Sequence, residues 1–295
     1  MSGPSRKPSR QGGLDEATER ALDRATAGYE PRFLVDLTRF GGLPGPSPNH
    51  ALAARLAERV VATGRKDLDD VLAARGERTG PGVGPETFFT VTLAFVHAER
   101  IRRKLEVDAS FERLDELAGD VRAPVRDAVA LALAGVASEE LAGRLALFTT
   151  GFLQGSVALS ILADRRALEL VADDASLASR VDECFSLVEG ASRADERSQG
   201  RRRLLEALTE TLPTLARRPR VLDLCAARAA KCHPDVRECL ERALDGMRRR
   251  GSSKVELGRL SAALDASAPP RRDPTTYVGP TRRRGGRAEG RKERR

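Results

Sequence analysis

The sequence predicts an all-α fold built from stacked antiparallel helix pairs, and three observations lead to this prediction. Aromatic residues make up only 4% of the 295 residues, and tryptophan is absent. The periodic stretches consist mainly of alanine and leucine, which favour closely packed helices over strands. An arginine motif also recurs at Arg126, Arg165, Arg201 and Arg237, at spacings of 39, 36 and 36 residues. A fixed period of that length is typical of an α-solenoid, in which each helix pair covers the apolar face of the next.

The N-terminal part is predicted to be a less regular helical cap over residues 14–110. Residues 1–13 are rich in Ser, Pro, Gly and Arg, and they are predicted to be disordered. Gly/Pro-rich loops are expected at 41–48 and 76–85, because proline and clustered glycine interrupt helices. The helices predicted between these breaks from apolar periodicity are 14–27, 31–40, 51–63, 67–74 and 86–105.

The repeats are predicted to occupy residues 111–268, where apolar residues recur at helical spacing with short interruptions. Alternation of shorter and longer helices at the motif's period is what stacked pairs require. The predicted helices are 111–118, 123–137, 139–149, 157–172, 177–189, 200–216, 221–231, 234–250 and 254–264.

Basic charge is concentrated at the two ends of the chain. The net charge is +8, yet residues 269–295 contain ten Arg or Lys against three acids, and residues 14–268 carry −2. A run of like charges without apolar residues predicts a disordered tail. Arginines in such a tail neutralise phosphates without reading bases, so contact with DNA or RNA is one prediction and a solubilising tail is the other. The tail residues predicted to make this electrostatic contact are Arg282, Arg283, Arg284, Arg287, Arg291, Lys292, Arg294 and Arg295.

One uncharged stretch, residues 145–163, is long enough to be considered as a membrane span. Its threonines, serines, glutamine and glycines argue against that interpretation. The cluster between Gly151 and Gly155 favours a turn between two buried helices instead. No membrane span is therefore expected.

Two motifs in the second half resemble HEAT repeats. They are DVRAPVR at 120–126 and HPDVR at 233–237. In that family an aspartate between paired helices lies six residues before an arginine of the second helix, as Asp120 and Asp195 do before Arg126 and Arg201. The resemblance implies a polar ladder along the inter-helix turns, with these four residues as structural members. Leu159 and Lys231 stand where the other two copies would have aspartate, so the implied ladder is incomplete.

Residues with catalytic or metal-binding chemistry are sparse. The three histidines, His50, His97 and His233, are far apart in sequence, and no Cys-x-x-Cys pair occurs. The four cysteines lie within helical patterns, which favours reduced core thiols over a zinc site. The glycine-rich run at 80–85 has no Lys-Ser/Thr after it, so a loop is predicted and not a phosphate-binding loop. The chain is expected to be a non-enzyme with no cofactor and no metal.

These observations predict a cytoplasmic scaffold whose solenoid surface binds another protein, with the basic tail adding electrostatic association. The alternative is a nucleic-acid-binding solenoid related to the DNA-alkylation-repair glycosylases, which are similar in being HEAT-like. That similarity implies a basic concave groove and aromatic contacts around the base. The lack of tryptophan disfavours the aromatic contacts. The distribution of arginines 201–203, 217, 218, 220 and 248–250 distinguishes the two: a single basic face favours nucleic acid, and pairing with acids favours protein.

Overall fold

The computed structural model describes residues 16–27, 35–64 and 67–268, and within these ranges the chain is helical and contains no strand. We number the α-helices in chain order and name the four short 3-10 helices by their residues, Thr38–Phe40, Glu77–Thr79, Leu147–Thr150 and Asp195–Arg197. The α-helices are α1 (Glu16–Ala27), α2 (His50–Thr63), α3 (Asp67–Gly76), α4 (Thr87–Arg102), α5 (Val107–Ala118), α6 (Ala123–Gly135), α7 (Leu141–Arg144), α8 (Phe152–Ala163), α9 (Arg165–Leu170), α10 (Asp174–Glu189), α11 (Gln199–Leu215), α12 (Pro219–Ala229), α13 (Pro234–Arg249) and α14 (Lys254–Ala266).

Helix α4 is the centre of the N-terminal part. It packs against α2, α3, α5 and α6, and buried side chains occur around its whole circumference. Phe88 and Phe89 are fully buried within it. A helix that is apolar around its whole circumference needs neighbours on every side, which is why four helices surround this one.

From α4 onward, the long helices form two rows, and within a row each helix packs against the next member of the same row. The contacts run from α4 to α6, α6 to α8, α8 to α11 and α11 to α13, while α10, α12 and α14 form a second row in the same way. One connected cluster of buried apolar residues extends from Ala21 to Leu264. The N-terminal part and the later helices therefore share a continuous core.

The uncharged stretch 145–163 is divided at the glycine where the turn was predicted. Gly151 is extended, with φ −139° and ψ 158°, and it separates the 3-10 helix Leu147–Thr150 from α8. Helix α8 then packs closely on α11, and a Cβ atom at Gly155 would lie 3.4 Å from Leu204 Cδ1. None of the helices in the described residues has the length and apolar character needed to cross a membrane.

Two of the helices predicted from periodicity are interrupted in the structure. The predicted helix 157–172 is split at Asp164, whose carboxylate accepts hydrogen bonds from the backbone N–H groups of Arg166 and Ala167 and so begins α9. The predicted helix 139–149 consists of the short α7 followed by a 3-10 helix. An aspartate that caps a new helix competes with continuation of the old one, and apolar periodicity alone does not detect this.

Helix α11 contains a proline, Pro213, in its last turns. Across the α11–α13 contact lies Gly246, where a Cβ atom would come within 2.8 Å of the proline ring. The absence of a side chain at residue 246 therefore makes room for the proline at that crossing.

Candidate functional site

All four motif arginines lie in the first turn of a helix, and three of them donate to a backbone carbonyl of a neighbouring segment. Arg126 Nη1 donates to the carbonyl oxygen of Asp120 at 2.6 Å, and Arg237 Nη2 donates to that of Leu264 at 2.6 Å. Arg201 donates through Nε and Nη2 to the carbonyl oxygen of Val188, both at 3.3 Å. These carbonyls belong to helix ends and turns, where they lack intrahelical partners.

The fourth motif arginine, Arg165, behaves differently. Its side chain is 90% exposed and pairs within its own helix with Glu169, at 2.8 Å from Nε to Oε1. The motif is therefore a repeat in sequence that has a common structural role at three of its four positions.

The acidic partners differ from those that the family resemblance implied. The Asp120 carboxylate is bound by Arg122, at 2.9 Å and 2.6 Å, and Arg126 reaches only the Asp120 backbone. Asp195 is exposed and accepts a hydrogen bond from Ser192 Oγ at 2.6 Å.

Arg201 pairs instead with Asp235 at the start of α13, at 2.7 Å from Nη1 to Oδ2. The expected pairing of Asp195 with Arg201 is thus replaced by a link between the first turns of α11 and α13. Sequence spacing within one repeat does not indicate such a link, because its two residues come from different repeats.

A cavity of about 380 Å³ opens where the N-terminal ends of α6, α8 and α11 meet. We call it the arginine cavity, because three guanidinium groups and a single carboxylate are among its lining residues. The start of α11 also faces it, and helix N-termini carry partial positive charge. The lining residues are Val121, Arg126, Leu153, Gln199, Gly200, Arg202, Arg203 and Glu206.

The charge in the arginine cavity is only partly compensated. Arg126 is 8% exposed and forms no ion pair within the described residues. Burial lowers the pKa of Arg126, Asp127 raises it, and the positive charge of Arg203 lowers it further. Arg203 is 3.4 Å from Glu206, while Arg202 is exposed without an ion pair in the described part of the chain. A buried cation without an anion is costly, so the cavity favours a negatively charged group.

A second cavity, of about 290 Å³, lies beside it between α11 and α13 and has the opposite charge. Four carboxylates and one guanidinium are found among its lining residues, and Glu206 belongs to both cavities. We call it the acidic cavity; its lining residues are Leu205, Glu206, Thr209, Glu210, Asp235, Glu238, Cys239 and Arg242. Along α11 the surface therefore changes from basic to acidic.

The arginines whose positions distinguish a nucleic-acid-binding surface from a protein-binding one do not form one basic face. Arg218 pairs with Asp174 at 3.2 Å, and Arg248 pairs with Asp245 at 3.3 Å. Arg217 is exposed between α11 and α12, Arg220 is exposed in the first turn of α12, and Arg249 is exposed at the C-terminal end of α13. Positive charge thus occurs at both ends of these helices, and four of the nine arginines, Arg201, Arg203, Arg218 and Arg248, pair with acids.

The cysteines are positioned as packing residues. Cys184, Cys225 and Cys239 are buried, and all four cysteines are free thiols. Burial raises the pKa of Cys184 and of Cys225 to about 12, which keeps these thiols protonated at neutral pH. Within the described ranges, no group of three or more His, Cys, Asp or Glu residues is arranged to hold a metal ion.

The eight tail residues predicted to make electrostatic contact, Arg282 to Arg295, lie outside the described residues.

Comparison with known proteins finds no matching family model, no matching curated protein and no matching solved structure.

Proposed function

We propose that this chain is a non-enzymatic, HEAT-like α-solenoid scaffold that binds another protein through the surface formed by α6, α8, α11 and α13. The solenoid arrangement is supported by two rows of long helices, in which each helix packs against the next member of its row. Such stacking produces an extended surface on which successive helix faces lie side by side. We further propose that the scaffold works in the cytoplasm, where its four free thiols would stay reduced.

The observation that carries the proposal is the change of charge along α11. The arginine cavity contains Arg126, Arg202 and Arg203, and the adjacent acidic cavity contains Glu210 and Glu238. A nucleic-acid backbone is uniformly negative and would be repelled by the acidic half. A protein segment with an acidic residue next to a basic one complements both halves. The apolar side chains of Val121 and Leu153 add a small non-polar contact to the basic half.

Reversing charge in the arginine cavity is expected to weaken partner binding by at least about tenfold, because two attractive contacts become repulsive. The variant is Arg202→Glu with Arg203→Glu, and the control is Arg217→Glu with Arg220→Glu, which changes exposed arginines outside the cavity. Tagged full-length chains carrying each pair would be used to isolate partners from the native cell, and the affinity of each identified partner would then be measured. Equal affinity in both variants would show that the arginine cavity is not the binding surface.

The competing proposal is a nucleic-acid-binding solenoid related to the DNA-alkylation-repair glycosylases, which would bind nucleic acid on its helical surface. The scaffold proposal instead assigns any such binding to the basic tail. We expect any DNA or RNA binding by the full chain to be sequence-independent, to weaken steeply with salt and to be lost in a chain that ends at Ala268. Filter binding across a salt series measures this directly. If the shortened chain retained its affinity, and the Arg202→Glu, Arg203→Glu variant lost it, the helical surface would be the nucleic-acid site and the scaffold proposal would fail.

A further inference from the structure

The arginine cavity carries more positive charge than a single carboxylate of a partner would neutralise. Its lining contains the three guanidinium groups of Arg126, Arg202 and Arg203 and the one carboxylate of Glu206, which leaves a net charge of +2. An aspartate or glutamate brings a single negative charge. A phosphorylated serine or threonine brings about −1.5 to −2 at pH 7, so its charge matches that of the cavity more closely.

Arg126 is accessible from the arginine cavity, although most of its side chain is buried. It is 8% exposed, and only its Nη1 is used, as the donor to the carbonyl oxygen of Asp120. Its Nε and Nη2 are not among the polar atoms of the described residues that are both buried and unpartnered. These two nitrogens therefore stay open to the cavity. Together they form the edge of a guanidinium that binds an oxyanion through two parallel hydrogen bonds.

Arg126 and Arg203 repel each other at this cavity. The pKa of Arg126 is lowered first by burial and then by the positive charge of Arg203, while Asp127 and Asp120 oppose these effects. A guanidinium does not lose its proton in a protein, so deprotonation cannot relieve the repulsion. An anion that lies between the two groups replaces their repulsion by two attractions.

The first turn of α11 adds uncharged hydrogen-bond donors. Ser198 caps this helix by accepting a hydrogen bond from the backbone N–H of Arg201 at 3.1 Å. The N–H groups of Gln199 and Gly200, which both line the cavity, come before the first intrahelical hydrogen bond and have no helical partner. Such free N–H groups at a helix N-terminus are suited to phosphate oxygens, which only accept.

The backbone that carries these groups is held in place by a buried arginine. Arg201, which directly precedes Arg202, is bound to Val188 at the end of α10 and to Asp235 at the start of α13. Both neighbouring helices therefore hold the first turn of α11. A turn that is already fixed loses little conformational entropy when it binds a ligand.

Features beside the cavity favour a phosphorylated peptide over other phosphates. Val121 lines the cavity and is 62% exposed, so it offers a contact to an apolar side chain next to the phosphorylated residue. The acidic cavity includes Glu210, seven residues after Arg203 and therefore about 10 Å further along α11. An extended peptide spans that distance in about three residues. Carboxylates there attract a basic residue of the peptide, whereas they would repel further phosphates of a nucleic acid.

We propose that the arginine cavity binds a phosphorylated serine or threonine of the partner protein, in a segment with a basic residue about three positions away. This inference rests on the proposed protein-binding function and names the group that the partner presents to the arginine cavity.

The test uses the immobilised full-length chain and a degenerate peptide library with a fixed central phosphoserine, next to the same library with unmodified serine. We expect the phosphorylated pool to be retained at least about tenfold more strongly at physiological salt. The retained peptides should be enriched in Arg or Lys about three positions from the phosphoserine. Equal retention of the two pools would overturn the phosphate assignment. The protein-binding surface itself would still be judged by the loss of isolated partners in the Arg202→Glu, Arg203→Glu variant.

Matched variants separate the cavity from the basic tail, which both of them keep. Arg202→Gln with Arg203→Gln removes two guanidinium groups of the cavity and should abolish the preference for the phosphorylated pool. Arg217→Gln with Arg220→Gln removes the same charge from exposed positions outside the cavity and should preserve that preference. The same preference in both variants would overturn the proposal. So would a DNA oligonucleotide that binds through Arg202 and Arg203 more tightly than the retained phosphopeptides.

Discussion

Replacing Arg201 with alanine is expected to lower the free energy of unfolding by about 3 kcal/mol, near the upper end of single-residue effects. The Arg201 side chain is 4% exposed and links the end of α10 to the start of α13 through Val188 and Asp235. Its removal leaves the Val188 carbonyl without this donor and opens a space at the junction of three helices. Urea unfolding followed by circular dichroism measures the change.

Arg202→Ala is the matched control for this prediction. Arg202 is the next residue along α11, and it is exposed, so its replacement should change stability by no more than about 0.5 kcal/mol. A double-mutant cycle of Arg201→Ala with Asp235→Asn would isolate the ion-pair contribution. If Arg201→Ala were as stable as Arg202→Ala, the buried guanidinium would not be holding the two helix ends together.

Acid is expected to destabilise the protein through His97 by about 3 kcal/mol between pH 7 and pH 4. The pKa of His97 is lowered from 6.5 to about 4, first by burial and then by Arg100 and Arg113, against the opposing effect of Glu106. The unfolded chain binds this proton near pH 6.5, and the folded chain binds it only near pH 4. Lowering the pH through this window therefore favours the unfolded state, and the stabilisation is fully present above pH 6.5.

The measurement is the pH dependence of unfolding free energy for the original chain and for His97→Gln. Groups that titrate in both chains cancel in the difference, including His50, whose pKa is also lowered by burial. We expect the difference to appear between pH 6.5 and pH 4 and to be small above pH 7. Identical pH profiles for the two chains would mean that His97 takes up its proton without cost in the folded state.

The helices could largely be predicted from the sequence, because the apolar periodicity and the Gly/Pro breaks act locally. The prediction 234–250 differs by one residue from α13, and the arginine motif marks the first turns of α6, α9, α11 and α13. The break at Asp164 was missed because its capping hydrogen bonds replace one helix by another without changing the apolar pattern.

The candidate sites could not be predicted in the same way, because they are assembled across helices. Arg126 and Arg203 line one cavity although 77 positions separate them. Similarly, His97 lines a cavity together with Asp69 of α3 and Arg113 of α5, and the sequence spacing of these residues does not indicate that they meet. Which side chains remain without partners depends on the packing angles of three helices, and no single segment contains that information.

Pro213 and Gly246 restrict which side chains can occupy either position, because a Cβ atom at residue 246 would lie 2.8 Å from the proline ring. A larger residue at 246 would have to displace the pyrrolidine ring or push the two backbones apart. We therefore expect natural variants of this chain to change the two positions jointly, with bulk at one accompanied by loss of the imino acid at the other. Such paired substitutions would allow the register of α11 on α13 to be traced in sequences for which no coordinates exist.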